Sequence, residues 1–272
     1  MFSYIDSAIR AKLENDQRLI ELDGQGRVTT EESVDAPSVL KLLGPIPMPR
    51  LFSDGNELTL HWYVFVRRVE LGRVLDTAAA AREDVTSGGG GEAFRDLLLT
   101  QMSVNSVLVV PGFEEVEVPL VRVHSCCMTG DVFGSRRCEC GPQLDEAFEQ
   151  LRAAGGGAVV YMSGHEGRGI GLWAKAITYL LQDDGQDTYQ ANVSLGLPED
   201  SRDFHDAAIV LRYLLRGRPL RLLSNNPLKR EHLEEGGVEV QEVVPLVTGI
   251  CAHNQRYMHA KHEKGHLLPD DI

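Results

Sequence analysis

Four cysteines crowd into fifteen positions of this chain: Cys126, Cys127, Cys138 and Cys140. A fifth, Cys251, stands far downstream. The total is odd and the chain is 272 residues long, which excludes a small secreted disulfide scaffold. Clustered thiols then point to metal binding or to catalysis. In VRVHSCCMTGDVFGSRRCECGPQL (121–144), Cys127, Cys138 and Cys140 are separated by eleven and then two positions. A loop of that length can fold back, so the three sulfurs can converge on one ion. Zinc takes thiolates at about 2.3 Å, and three protein ligands leave a fourth position for water, as a catalytic site requires. Cys126 points away from Cys127 if the segment is extended, and Cys251 could join only through the fold. A structural zinc knuckle or buried reduced thiols are the alternatives.

Charge bounds the partners. With 27 basic and 40 acidic residues the net charge is −13. So acidic a chain does not grip a nucleic-acid backbone over a broad surface. A small anion can still bind where cations converge locally. No run approaches the ~20 apolar residues of a membrane span, and the first residues alternate charge with apolar side chains, so the expectation is a cytoplasmic protein.

Four separated motifs, in order, are HSCCMTGD, RRCECG, GHEGRGIGL (164–172) and SNNPLKR (224–230). Together they resemble GTP cyclohydrolase II, the zinc enzyme that opens riboflavin synthesis. The resemblance covers about 116–268 and extends more loosely into 45–65. It implies one zinc per chain on Cys127, Cys138 and Cys140, and a GTP site lined by Arg122, Val123, His124, Ser125, Cys126, Gln143, Glu166, Gly167, Arg168, Thr188, Ser224 and Lys229. It further implies Asp200 as proton acceptor, Arg202 as nucleophile toward the α-phosphate, Tyr179 near the purine, and a homodimer. The implied reaction expels C8 of guanine as formate and releases pyrophosphate. Mg²⁺ is expected with the triphosphate. Arg122, Arg136, Arg137, Arg168 and Lys229 are candidate phosphate cations, arginine offering a bidentate fork. The turn EGRGIG leads into a helix whose free N–H groups favour anions.

Each residue also has a plainer reading. Arg202 can clamp the α-phosphate by charge alone, since a guanidinium is essentially always protonated. Asp200 can cap the helix expected from 202. Glu166 can pair with Arg168, Gln143 can anchor the helix after Cys140, Lys229 can be a surface lysine, and Tyr179 can be core. His124 and His165 read as pocket residues, and the histidine-rich tail (253–268) as a fold or dimer contact. Three positions depart from the family pattern: Cys126 stands for glutamate, Ser163 for arginine and Ser224 for threonine. A specialised paralogue with another product or pathway, uracil breakdown for example, and a non-catalytic zinc-bearing nucleotide sensor remain as alternatives.

The elements that must position these residues read as a mixed α/β (α+β) chain. Residues 1–44 are expected as an N-terminal extension, a helix followed by a polar connection, ending at GPIPMPR (44–50). The catalytic part, 45–272, divides into a small β-rich piece (about 45–125) and an α/β zinc-containing piece (about 126–272). Strands are expected at 57–69, 106–112, 116–125, 158–162, 219–223 and 238–246, and helices at 144–154, 170–182 and 202–215. Residues 71–97, with SGGGGE, read as an inserted flexible loop.

Overall fold

The computed structural model describes residues 6–30, 33–86 and 103–269. Helix α1 (Ser7–Asn15) is capped by Asp6, whose carboxylate accepts from the Ala8 and Ile9 N–H groups. Four strands follow: β1 (Leu19–Asp23), β2 (Val28–Thr29), β3 (Ser38–Leu51) and β4 (Glu57–Arg67). Helix α2 (Arg68–Thr86) precedes β5 (Asn105–Val110) and β6 (Leu120–Ser125). Then come α3 (Met128–Asp131), α4 (Cys140–Ala153), β7 (Gly157–Met162), a 3-10 segment (Ser163–Gly169), α5 (Gly171–Asp183), α6 (Gln190–Ser194) and α7 (His205–Leu215). The described chain ends with β8 (Leu220–Leu223), α8 (Pro227–Glu235), β9 (Val240–Val244) and α9 (Gln255–Glu263).

The strands form one nine-stranded sheet in the order β2-β1-β3-β4-β5-β7-β6-β8-β9. The β2 to β5 half is an antiparallel meander that joins β7 antiparallel, while β7, β6, β8 and β9 run parallel. Helices cover both faces, as a parallel sheet requires. On one side Ala147, Phe148 and Leu151 of α4 pack with Phe52, Leu60, Val159 and Leu223. On the other, Ala207, Val210, Leu211 and Leu214 of α7 pack with Leu22, Leu40, Phe65, Val121 and Val160. The β-rich and α/β pieces thus share one sheet.

Two expectations are corrected. Strands β1 and β2 and the first part of β3 join the main sheet, where a polar connection was expected. Leu22, Leu40 and Leu42 are 0–2% exposed within the principal core. Strand β3 runs through the expected boundary at 44/45. Its prolines have the composition of a turn, yet they sit in a strand that β1 pairs with only as far as Leu19–Leu43. Beyond that point β3 has a free edge, where proline costs no ladder bond. The helix expected in the extension is present as α1, which buries no residue. The second correction concerns 71–97: residues as far as Thr86 continue helix α2, and the glycine-rich remainder lies outside the described residues.

Leu40→Ala should therefore destabilise the protein by about 2–5 kcal/mol in denaturant unfolding, as for a fully buried leucine. A change under about 0.5 kcal/mol, the usual value for a surface position, would mean that 19–43 is dispensable.

Candidate active site

In a sheet of order β7-β6-β8 the chain leaves β6 in one direction and later returns on its other side. Such a reversal opens a crevice at the carboxyl ends of the strands. A cleft with an internal volume of about 120 Å³ lies at the ends of β6 and β8. Period two along β6 sends Val121 and Val123 into the α7-side core and Arg122 and His124 to the other face. Beyond β6 the chain delivers Cys127, loops out through α3, and returns Cys138 and Cys140 at the start of α4.

The three sulfurs lie within 4.8 Å of one another, and Cys127 Sγ is 3.6 Å from Cys138 Sγ. A tetrahedral ion with 2.3 Å bonds holds its sulfurs about 3.8 Å apart, so the trio fits zinc. Among the described residues no fourth protein donor joins it. Gly130 makes the approach possible: a Cβ there would stand 3.0 Å from Cys138 Sγ and 3.2 Å from Cys127 Sγ. The protons are shared unequally. Hydrogen bonds from Cys138 and Cys140, with the charge of Lys175, hold Cys127 far below the usual thiol range. Donating to Cys127 pushes Cys138 up to about 12, and Cys140 also rises well above its usual value.

Two carboxylates behind the wall fix this loop. Asp131 Oδ2 accepts from the Cys127 N–H at 3.0 Å and from the Tyr161 hydroxyl at 2.9 Å. It also meets His124 Nε2 at 3.1 Å, while Arg122 Nε donates to His124 Nδ1. Both ring nitrogens of His124 are thus engaged, and burial holds the ring's pKa below its ordinary value. Glu166 accepts from the Met128 N–H and from Lys175 Nζ, each at 2.6 Å. Lys175 Nζ is also 3.1 Å from Cys127 Sγ. Glu166 therefore pairs with Lys175 and not with Arg168, and it lies behind the lining residues. The Cys126 thiol donates to its other oxygen at 3.7 Å, and burial raises that thiol to about 11.

Seven lysine and arginine side chains line the cleft, and no aspartate or glutamate does among the described residues. Arg122 donates to Gln143 Oε1 at 2.8 Å and to the Leu223 carbonyl, and burial lowers its pKa to about 10. Lys229, 6% exposed, donates to the Val123 carbonyl at 2.7 Å. Burial, then the charges of Arg122, Arg202 and Lys261, push its pKa well down. Arg168 stands in left-handed backbone at φ +63°, donates to Thr188 Oγ1 at 2.6 Å and lies 4.0 Å over the Tyr189 ring. Arg137 pairs with Asp183 and lies over the Tyr179 ring. Arg202 Nε donates to both oxygens of Asp200, at 2.9 and 3.1 Å, and Nη1 reaches Ser125 Oγ at 3.3 Å. Burial raises the Asp200 pKa, but the bonds and charge of Arg202 outweigh it and hold the carboxyl below the usual range.

Most residues singled out in sequence meet here: Arg122, His124, Ser125, Cys126, Gln143, Gly167, Arg168, Thr188, Tyr179, Arg202, Ser224 and Lys229 all line the cleft. Asp200 stands behind Arg202 and does not cap α7, whose first N–H is held by Asp203. Val123 contributes its carbonyl. Arg136 is exposed and outside the lining. Ser163, in place of arginine, bonds to the Val104 carbonyl and Asn105. The tail, expected as a fold or dimer contact, brings Tyr257, Lys261 and His266 into the lining of the cleft. His165 donates from Nε2 to the Asp203 carbonyl and accepts from Ser125 at Nδ1, and burial lowers its pKa to about 4. Asp203, His205 and His232 form a second, more exposed grouping, in which Arg67 already supplies charge to Asp203.

Lys175 and Asp131 were not found from sequence. A signal for Lys175 existed: Lys175, Thr178, Tyr179 and Gln182 recur at helical spacing along α5 and all line the cleft. The helix turns its polar face inward, and Trp173 and Leu180 outward.

Comparison with known proteins agrees with this geometry. The family model described as GTP cyclohydrolase II matches residues 92–245, more than half of the chain. The riboflavin biosynthesis protein RibBA of Mycobacteroides abscessus is 53% identical over 152 residues, 56% of this chain and 36% of that protein. RibBA of Nocardia farcinica is 53% identical over 167 residues, 61% of this chain and 40% of its own length. RibBA of Mycobacterium tuberculosis is 55% identical over 150 residues, 55% and 35% of the respective chains. The alignments span little more than a third of these relatives. With three converging thiols, a cation-lined cleft and the matched stretch in agreement, the chain belongs to the GTP cyclohydrolase II family.

Proposed function

We propose that this chain opens the imidazole ring of GTP, releasing C8 as formate and pyrophosphate from the triphosphate, the first step of riboflavin synthesis. The observation that carries the reading is the cleft itself. Three thiols stand beside seven cationic side chains in a protein of net charge −13, and the lining holds no acid among the described residues. A buried lysine without a carboxylate partner is costly until an anion arrives, and among the described residues Lys229 meets a carbonyl and the Phe204 ring but no carboxylate. A polyphosphate supplies what Lys229 lacks.

Cys127, Cys138 and Cys140 would hold one zinc per chain. When bound, zinc supplies Lewis acidity and a water acidic enough to ionise near neutral pH. Lys175 fixes Cys127 and compensates its charge, with Glu166 holding the ammonium in place. Arg122 and Gln143 orient each other in the lining of the cleft. Arg168, braced by Thr188 and Tyr189, presents its charge to the same cleft. Mg²⁺ would accompany the triphosphate.

Asp200 and Arg202 are the pair that would act at the α-phosphate. A carboxylate held below its usual pKa is a weak base, and it stabilises the protonated guanidinium beside it. These facts favour Arg202 as a fixed electrostatic clamp over a covalent nucleophile. The reading also implies a cytoplasmic homodimer. Trp173, 83% exposed, and Leu180 on the outer face of α5 offer apolar surface for a second copy.

Four measurements test this. Protein prepared without chelators should carry about one zinc per chain, and Cys138→Ser should lose both the metal and ring opening. Activity at the starting level in that variant would remove zinc from the chemistry. Mass spectrometry of a GTP and Mg²⁺ reaction should show formate and pyrophosphate together. Pyrophosphate alone would indicate a paralogue without ring opening, and tight GTP binding with neither product a sensor. Intact-mass analysis during turnover should show no guanylyl adduct; an adduct on Arg202 would replace the clamp by covalent catalysis. Arg202→Ala should lower kcat by about 10²–10³-fold, as for loss of a preorganised charge.

A further inference from the structure

Helix α9 lies beyond the stretch matched by the family model, yet it forms a wall of the same cleft. The segment is tied down along its length. Asn254 Nδ2 donates to the Gly249 carbonyl at 2.9 Å, and the Leu267 N–H donates to the Asn225 carbonyl at 2.8 Å. Arg168, which lies over Tyr189, also lies 5.7 Å from the Tyr257 ring centroid.

The tie that bears on chemistry is at Glu139, the residue between two of the cysteines. Its side chain is 0% exposed. Lys261 Nζ, 122 positions downstream and itself nearly buried, bonds to Oε1. The other oxygen, Oε2, is buried with no partner. An ionised carboxylate in such a place is tolerated only when a counter-charge is held against it. The backbone of Glu139 opens helix α4, its carbonyl accepting from the Gln143 N–H at 2.9 Å. The side chain is rooted in the turn between Cys138 and Cys140, so anchoring its carboxylate restrains the peptide units that carry them.

We propose that Lys261 is a positioning residue for the cysteine site. By pairing with buried Glu139 it holds the turn that presents Cys138 and Cys140, so the C-terminal segment is an integral wall of the site. Without Lys261 the carboxylate is driven toward water and carries both thiols with it. The inference rests on the three cysteines being zinc ligands, and its test separates the two ideas.

Two readouts decide it: the rate of zinc loss to a chelator from loaded protein, and the melting temperature of loaded and metal-stripped protein. Lys261→Met should speed zinc loss by about tenfold or more, the usual range for removing a supporting group behind a metal ligand. It should also lower both melting temperatures. Lys261→Arg should keep both near the starting protein. Adding Glu139→Gln to Lys261→Met removes the orphaned charge and should recover most of the loss. Lys264→Met, which breaks an exposed pair with Glu199 at the end of the same helix, should change neither readout. The proposal is overturned if Lys261→Met retains zinc and stability, if the double variant fares no better than the single one, or if Lys264→Met is equally harmful. A starting protein that takes up no zinc defeats the zinc reading, while melting of the stripped variants still decides whether the pair holds the turn.

Discussion

Three sulfurs within 4.8 Å of one another cannot all carry negative charge unless positive charge stands among them. Much of the local structure answers that one constraint. Gly130 admits the approach, because any side chain there would occupy the space of the sulfurs. Gly141 does the same one layer out, where a Cβ would stand 2.4 Å from the Gly130 carbonyl oxygen. Lys175 supplies one unit of positive charge at 3.1 Å from Cys127 Sγ. Asp131 pins the Cys127 backbone from behind. One lysine would not balance three thiolates, and a divalent cation held by the trio would close the gap.

The same reasoning explains how an acidic protein presents a cationic cleft. The acids near the cleft are each set behind its wall with a partner: Asp131 with His124 and Tyr161, Glu166 with Lys175, Asp200 with Arg202, Glu139 with Lys261. They orient the cations without facing the ligand. Arg122, Arg168 and Lys229 have no carboxylate among their hydrogen-bond partners in the described residues, and Lys229 donates to a carbonyl. Cations gathered in this way repel one another and lower the stability of the empty site, a cost an anionic ligand offsets on binding.

What sequence revealed follows from how local each cause is. The thiols sit on one short loop, so their spacing alone suggested convergence. Period two on β6 likewise pairs Arg122 with His124. Other ties join residues far apart: Lys261 pairs with Glu139 122 positions away, and the Leu267 N–H bonds to the Asn225 carbonyl only through the fold. Nothing in a linear pattern links those partners. The N-terminal strands were hidden differently. In SVLKLLGPIPMPRL the alternation that buries Leu40 and Leu42 runs straight into prolines, and proline at a free strand edge has the composition of a turn.

Helix α5 shows that a correct pattern can be given the wrong sign. Its amphipathic spacing is plain in sequence, and the usual inference turns the apolar stripe toward the core. Here Lys175, Thr178, Tyr179 and Gln182 face inward, because the space beneath the helix is a polar cleft, while Trp173, Ile177 and Leu180 face out. A helix that shelters a polar site is left with its apolar stripe on the far side, and the hydrophobic effect then favours covering that stripe from outside. The inversion that builds the site thus also produces a surface suited to association, so the inward chemistry and the outward apolar face follow from one sequence period.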